Sequence, residues 1–220
     1  MKKAVVLLSG GLDSSTCLYI AKREGYEIYV LSFYYGQRAI KELEAARSIA
    51  KMAGVVEHQE VNISSFLIKG SALTEDMPIP VDGVDPTKIP VTYVPGRNTI
   101  FLAMGLSKAE QVGAEALFIG VNSVDYSGYP DCRPEYIIAF QEVSQLGTAV
   151  GIGGRPIRIE APLQNMTKAD IVRTALKLEP RILELSRSCY KGGDTPCGEC
   201  DSCRLREEAI QEVLGDGGKK

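Results

Sequence analysis

The chain has 220 residues, 45% of them hydrophobic and 24% charged, which fits one globular domain with at most a small appendage. Its net charge of −3 weighs against a large basic surface for nucleic acid, and no run of about 18 apolar residues is present to span a membrane. The opening MKKAVVLLSGG resembles a signal peptide only briefly: Gly10, Gly11 and Asp13 cut the apolar run short and no small-residue cleavage site follows, so a cytoplasmic location is expected.

Taken in chain order, strand-like and helix-like segments alternate. AVVLL (4–8) is a short, continuous apolar run, the pattern of a strand buried on both faces. Residues 13–24 predict a helix with Asp13 or Ser14 near its cap, and EIYVLSFYY (27–35) predicts a strand from its β-branched and aromatic content. Residues 38–53 carry the apolar spacing of an amphipathic helix that Gly54 ends, and VEHQEVNI (56–63) predicts a third strand. This βαβαβ order predicts an α/β fold, a doubly wound parallel sheet with helices on both faces. Residues 64–95 hold Pro78, Pro80, Pro86, Pro90 and Pro95, and predict a long surface excursion suited to a lid or a dimer contact. A helix at 97–112, a strand at 116–121, a loop at 128–136 leading into a helix to about Leu146, a strand at 156–163 and a capped helix at 167–178 follow. A cysteine cluster and a charged helix close the chain, with GDGGKK as a frayed tail.

The first strand–helix junction reads SGGLDSS (9–15). A tight turn needs one glycine; two glycines and three serines at a helix entrance offer free N–H groups, a favourable dipole and hydroxyl donors, which suits a phosphate or pyrophosphate. The alternative is a plain turn with a serine cap. No lysine follows the glycines as in G-x-x-x-x-G-K-[ST], and G-x-G-x-x-G is absent. Asp13 would repel a polyphosphate unless Mg²⁺ or the helix cap compensates.

Of six cysteines, four follow the spacing Cys189-x7-Cys197-x2-Cys200-x2-Cys203. Such crowding favours a metal over disulfides, and four thiolates suit a closed structural Zn²⁺ site, with an iron–sulfur cluster as the competitor. Glu199 and Asp201 would repel phosphates, which argues against a nucleic-acid-binding knob. Cys17, inside the first helix, reads as core, and His58, in an apparent strand far from the loop motifs, reads as structural.

S-G-G-x-D-S-S resembles the signature of the PP-loop ATP pyrophosphatases, which cleave ATP between the α and β phosphates. Together with FYYGQR (33–38), PGRN (95–98), DYSGYPDCR (125–133), APLQNMTKADIV (161–172) and the closing CGECDSC, it makes nearly the whole chain similar to the 7-cyano-7-deazaguanine synthase family. The resemblance implies a PP-loop catalytic domain over 1–180 and a zinc-binding segment over 181–220. It implies that ATP, with Mg²⁺, activates the carboxylate of 7-carboxy-7-deazaguanine, that free ammonium supplies the nitrogen, and that a second activation dehydrates the amide to the nitrile. The expected nucleotide loop is Leu8, Ser9, Gly10, Gly11, Leu12, Asp13, Ser14, Ser15, Thr16, Cys17 and Leu18, with Asp13, Ser14, Lys168 and Arg97 in catalytic roles.

Lys168 sits in a first helical turn against the dipole, either solvated or held against phosphates. Arg97 reads as a surface arginine or a carboxylate fork, while Arg38 reads as surface. Asn98, Asp125, Ser127, Tyr129, Asp131 and Cys132 are the expected substrate residues, with Cys132 as pocket lining because nothing in the sequence lowers its pKa. The excursion and the resemblance both point to a homodimer, and no stable nucleic-acid partner is expected. Competing readings are a PP-loop tRNA-modifying ligase or thiolase, a zinc-dependent nucleic-acid-binding module and an ATP sensor without turnover.

Overall fold

Five parallel strands form one sheet in the order β3-β2-β1-β4-β5: β1 (Lys3–Leu7), β2 (Glu27–Tyr34), β3 (Glu57–Asn62), β4 (Ala116–Phe118) and β5 (Arg158–Glu160). The structure is a computed structural model and describes residues 1–65, 69–81, 88–122 and 128–215. Among the described residues, eight α-helices connect and flank the strands: α1 (Leu12–Arg23), α2 (Lys41–Ala53), α3 (Arg97–Val112), α4 (Pro134–Gly147), α5 (Ala149–Ile152), α6 (Lys168–Leu178), α7 (Arg181–Leu185) and α8 (Asp201–Gly215). Among the described residues no helix is long and apolar enough to cross a membrane.

The central strand shows why the sheet forms. Ala4 and Val6 enter one buried cluster with Leu18 of α1, Ile49 of α2, Ile171 and Val172 of α6 and Ala209 of α8. Val5 and Leu7 enter a second cluster with Leu102 and Leu106 of α3 and Phe140 of α4. A strand buried on both faces has no place for an alternating polar residue, hence the unbroken AVVLL. Each such buried side chain contributes about 1.5–3 kcal/mol. At the sheet edge, β3 is mostly polar, and Arg47 of α2 grips Glu60 through two hydrogen bonds of 2.6 and 2.7 Å.

The expected doubly wound sheet is present, with shorter elements than the sequence predicts. The helix expected from residue 38 starts at Lys41, because Arg38 N–H donates to Leu73 O in the neighbouring loop. The strand expected over 116–121 ends at Phe118, and that over 156–163 spans only Arg158–Glu160. The proline-rich stretch is not purely a surface excursion. Ser71, Ala72, Thr92 and Val94 are buried, and Ala72 N–H donates to Val91 O at 2.8 Å. Proline breaks ladders but does not stop apolar neighbours from entering a core. The C-terminal helix α8 packs on α6, and α7 on α1 and α2, so the cysteine segment is carried on the face that also carries the first loop.

Candidate active site

The sheet order reverses between β1 and β4, and the carboxyl ends of these two strands open a cavity of about 280 Å³. Its wall begins with the SGGLDSS loop. Gly10 has φ +90°, and a Cβ there would sit 2.0 Å from the Glu42 carbonyl oxygen, so only glycine lets α2 approach the loop this closely. Gly120, just past β4, plays the same part on the other side: a Cβ there would lie 2.8 Å from the Ser14 backbone.

The serines order the loop through a connected set of hydrogen bonds. Ser14 Oγ donates to Gly11 O at 3.2 Å and accepts from Ser9 N–H at 3.1 Å. Ser9 Oγ lies 2.9 Å from Ser14 Oγ and accepts from Gly11 N–H at 3.2 Å. Gly11 is the N-cap of α1 and supplies no capping side chain, which leaves first-turn N–H groups available to an anion. Leu8, Ser9, Gly11, Leu12, Asp13 and Ser14 line the cavity. Gly10 faces α2 instead, and Ser15 and Thr16 turn their hydroxyls onto Gly11 O and Leu12 O. Cys17 and Leu18 point into the core, where burial and then Asp13 push the Cys17 thiol pKa far up.

The charge on Asp13 is answered within the protein. Lys168 Nζ reaches both carboxylate oxygens, at 2.9 and 2.7 Å. The Thr167–Asp170 capping box, with bonds of 3.1 and 3.2 Å, fixes the start of α6 and so places Lys168 at the cavity. The loop is also held from the far end of the chain. Arg187 N–H donates to Gly10 O at 2.9 Å, and Arg206 of α8 binds Leu183 O and Ser186 Oγ. Ser188, Tyr190, Ser202 and Arg206 complete that wall.

Opposite the loop stand Arg97 and Asn98, the first residues of α3. Arg97 Nη1 lies 3.5 Å from Tyr35 Oη. Asn98 N–H donates to the Asp131 carboxylate at 3.1 Å, and its amide to Asp131 O at 3.1 Å and Cys132 Sγ at 3.4 Å. Asp131 is buried behind the cavity rather than lining it, while Tyr129 and Cys132 line it. Burial, then the Asp131 charge, push the Cys132 thiol up to about 12, so it is neutral at pH 7. Asp125 and Ser127 lie outside the described residues.

His58 is not remote from the loop. Ser32 Oγ donates to Leu8 O at 2.6 Å, so its single proton is engaged there, and His58 Nε2 must donate to Ser32 Oγ across 2.8 Å. Arg38 stays on the surface and donates to Met77 O. Sequence reasoning missed Glu42, Phe33, Tyr35, Phe101, Ser188 and Arg206. The FYYGQR string was the available signal for the aromatic wall; Glu42 and Arg206 sit on amphipathic helices where any polar position looks solvated.

The four cysteines of the C-terminal segment converge, with their sulfurs all within 4.8 Å of one another. A tetrahedron with bonds of about 2.3 Å has edges of about 3.8 Å. Cys197 Sγ and Cys203 Sγ are 3.9 Å apart, close to that edge, so the donor set could hold a metal ion.

The model of the family described as queuosine biosynthesis protein QueC matches residues 3–214. The chain belongs to the QueC family. Among curated relatives of this QueC-family chain, 7-cyano-7-deazaguanine synthase of Gloeothece citriformis is 52% identical over 96% of this chain and 92% of its own length. The enzyme of the same name from Acetivibrio thermocellus is 55% identical over 97% and 95%. Among solved structures, NMN synthetase from Francisella tularensis superposes with a TM-score of 0.53 at 16% identity, covering 97% of this chain and 77% of that one. That likeness concerns the fold alone.

Proposed function

We propose that this QueC-family chain is an ATP-dependent carbon–nitrogen ligase that converts 7-carboxy-7-deazaguanine and ammonia to 7-cyano-7-deazaguanine. The observation that carries the reading is one cavity with an uncapped, glycine-rich helix entrance on one side and Arg97 on the other. The first suits a polyphosphate and the second a carboxylate.

In this reading the loop N–H groups with Ser9 and Ser14 hold the pyrophosphate. Lys168 is placed to neutralise charge on the phosphates, and Asp13 would hold the Mg²⁺ that accompanies the nucleotide. Arg97 holds the substrate carboxylate in line with the α-phosphorus. One carboxylate oxygen attacks that phosphorus and pyrophosphate leaves. Ammonia then displaces AMP to give the amide. In the second activation the amide oxygen attacks a further ATP and leaves as AMP, so both original carboxylate oxygens depart on AMP phosphates. The work is positioning and charge neutralisation, for which a cavity without a nucleophile–histidine pair suffices. Tyr129 is placed to stack on the deazaguanine ring, and Asn98 and Cys132 shape its edge. Asp131 acts by fixing Asn98.

The cysteine site holds Zn²⁺ in a structural role, through Cys189, Cys197, Cys200 and Cys203. Its four donors leave no open coordination position. Ile138, Val143, Leu146 and Ile152 are exposed large apolar side chains on α4 and α5, which supports a homodimer.

The test is an incubation of the metal-loaded protein with Mg·ATP, ammonium and 7-carboxy-7-deazaguanine. Nitrile and AMP should form together, and both should vanish in Asp13→Ala. ATP cleavage driven by a different acid would overturn the substrate, and no ATP cleavage would overturn the enzyme.

A further inference from the structure

Two carboxylates line the cavity, Asp13 and Glu42. Lys168 engages both oxygens of Asp13. Glu42 is different: no described residue donates a hydrogen bond to its carboxylate. It is also held where the chemistry must pass. Its backbone carbonyl packs against Gly10 of the loop, and its side chain lines the same cavity as Arg97 of α3 and Tyr35, the residue after β2. Its helix neighbours Lys41 and Glu44 pair with each other at the surface. Burial drives the Glu42 carboxyl up to about 8 although Arg97 pulls it down.

With its carboxyl raised this far, Glu42 is largely neutral near pH 7 and supplies no fixed charge to either anion the cavity is proposed to hold. It does suit a small cation. Phe33, Tyr35 and Phe101 line the same cavity, with Phe33 and Phe101 stacked at 4.1 Å, and this apolar wall limits access of bulk water.

We propose that Glu42 receives the nitrogen substrate: its carboxylate binds ammonium and takes one of its protons, releasing ammonia beside the activated carboxylate. The proposal rests on the synthase reading. One N–H bond breaks and an O–H bond forms on Glu42. The freed lone pair forms the C–N bond as the C–O bond to AMP breaks, and that electron pair leaves on the phosphate. The extra proton on the new amide nitrogen passes to the departing phosphate, and the Glu42 proton returns to solvent. A base whose proton affinity lies near the working pH is suited to this transfer.

The experiment compares wild type and Glu42→Gln with two nucleophiles. Ammonium must lose a proton before it can attack, whereas hydroxylamine is largely neutral at pH 7 and needs no base. Pyrophosphate exchange into ATP reports the activation step with no nitrogen present. We expect E42Q to lose ammonium-dependent amide formation by about 100-fold or more. Hydroxamate formation and exchange should stay within a few-fold of wild type. Equal losses with both nucleophiles, or no loss with ammonium, overturn the assignment. Should E42Q fail to fold, Glu42→Asp serves: it should use ammonium with a raised KM and unchanged hydroxylamine kinetics, and parallel changes in both overturn the assignment. Wild type that shows no exchange with the deazaguanine acid overturns the synthase reading itself. Exchange in wild type with ammonium use intact in E42Q overturns only the role of Glu42.

Discussion

The phosphate-loop corner and the cysteine segment lie on the same side of the molecule and are built in opposite ways. The corner gathers residues 8–14, Glu42, Gly120, Lys168 and Arg187 from across the chain, and closes through backbone contacts and short side chains. The cysteine segment draws all four sulfurs from Cys189–Cys203, and its buried cluster consists of cysteines, with only Ile79, Tyr190 and Cys197 packed against it. The corner is stable because the whole fold is stable. The segment has little apolar core of its own, and a metal held by its four sulfurs would supply the order that the core does not.

The largest expected effect tests that dependence. Structural zinc contributes about 10–16 kcal/mol of apparent binding energy, which is folding energy for the part it organises. Chelation, or Cys200→Ser, should expose the amides of 189–206 to hydrogen exchange while those of β1 and β2 remain protected. If residues 189–206 stay protected without metal, the contrast between the regions breaks. Next comes Gly10→Ala, where the new Cβ meets the Glu42 carbonyl and the backbone is left-handed. A loss of about 2–4 kcal/mol in denaturant unfolding is expected, spread over the whole domain rather than confined to one segment.

Lys168→Met should cut turnover about 100-fold. It should change stability by less than about 1 kcal/mol, because the Asp13–Lys168 pair is partly open to solvent. Cys132→Ser should keep turnover within about threefold, since a thiol held neutral is a poor nucleophile; a complete loss would assign it covalent chemistry.

The smallest effect concerns His58, whose pKa burial lowers below its ordinary value of 6.5. A neutral buried imidazole adds stability that is full above pH 6.5 and fades as pH falls through the depressed value. His58→Gln keeps an N–H donor for Ser32 and should flatten the fall in denaturation midpoint between pH 7 and pH 5 relative to wild type.

How much of this was legible in the sequence follows from the range of each contact. AVVLL and SGGLDSS state their roles locally, because a doubly buried strand and a glycine-rich helix entrance are sequence-contiguous. Lys168 was visible as a cation on the wrong end of a capped helix, and the Asp13 pair supplies its reason. The four cysteines are likewise contiguous. Glu42 and Arg206 were hidden, because helical periodicity separates apolar from polar positions but not solvent from cavity. The link from His58 through Ser32 to Leu8 crosses three strands' worth of topology, and no spacing rule reports it. Strand ends at Phe118 and Glu160 were overestimated because sheet pairing stops after the Ile119 N–H to Glu160 O bond, and Ile119, Gly120 and Val121 go on to line the cavity.

The hydrogen bond from Arg187 to Gly10 has a consequence for how the enzyme comes into being. During synthesis Gly10 leaves the ribosome long before Arg187 does. The sheet can assemble around β1 while translation continues, yet the phosphate loop gains its last support only when the segment after α7 has been made. A nascent chain therefore carries a scaffold whose glycine–serine loop is still missing one of its hydrogen-bond partners until Arg187 has followed it out.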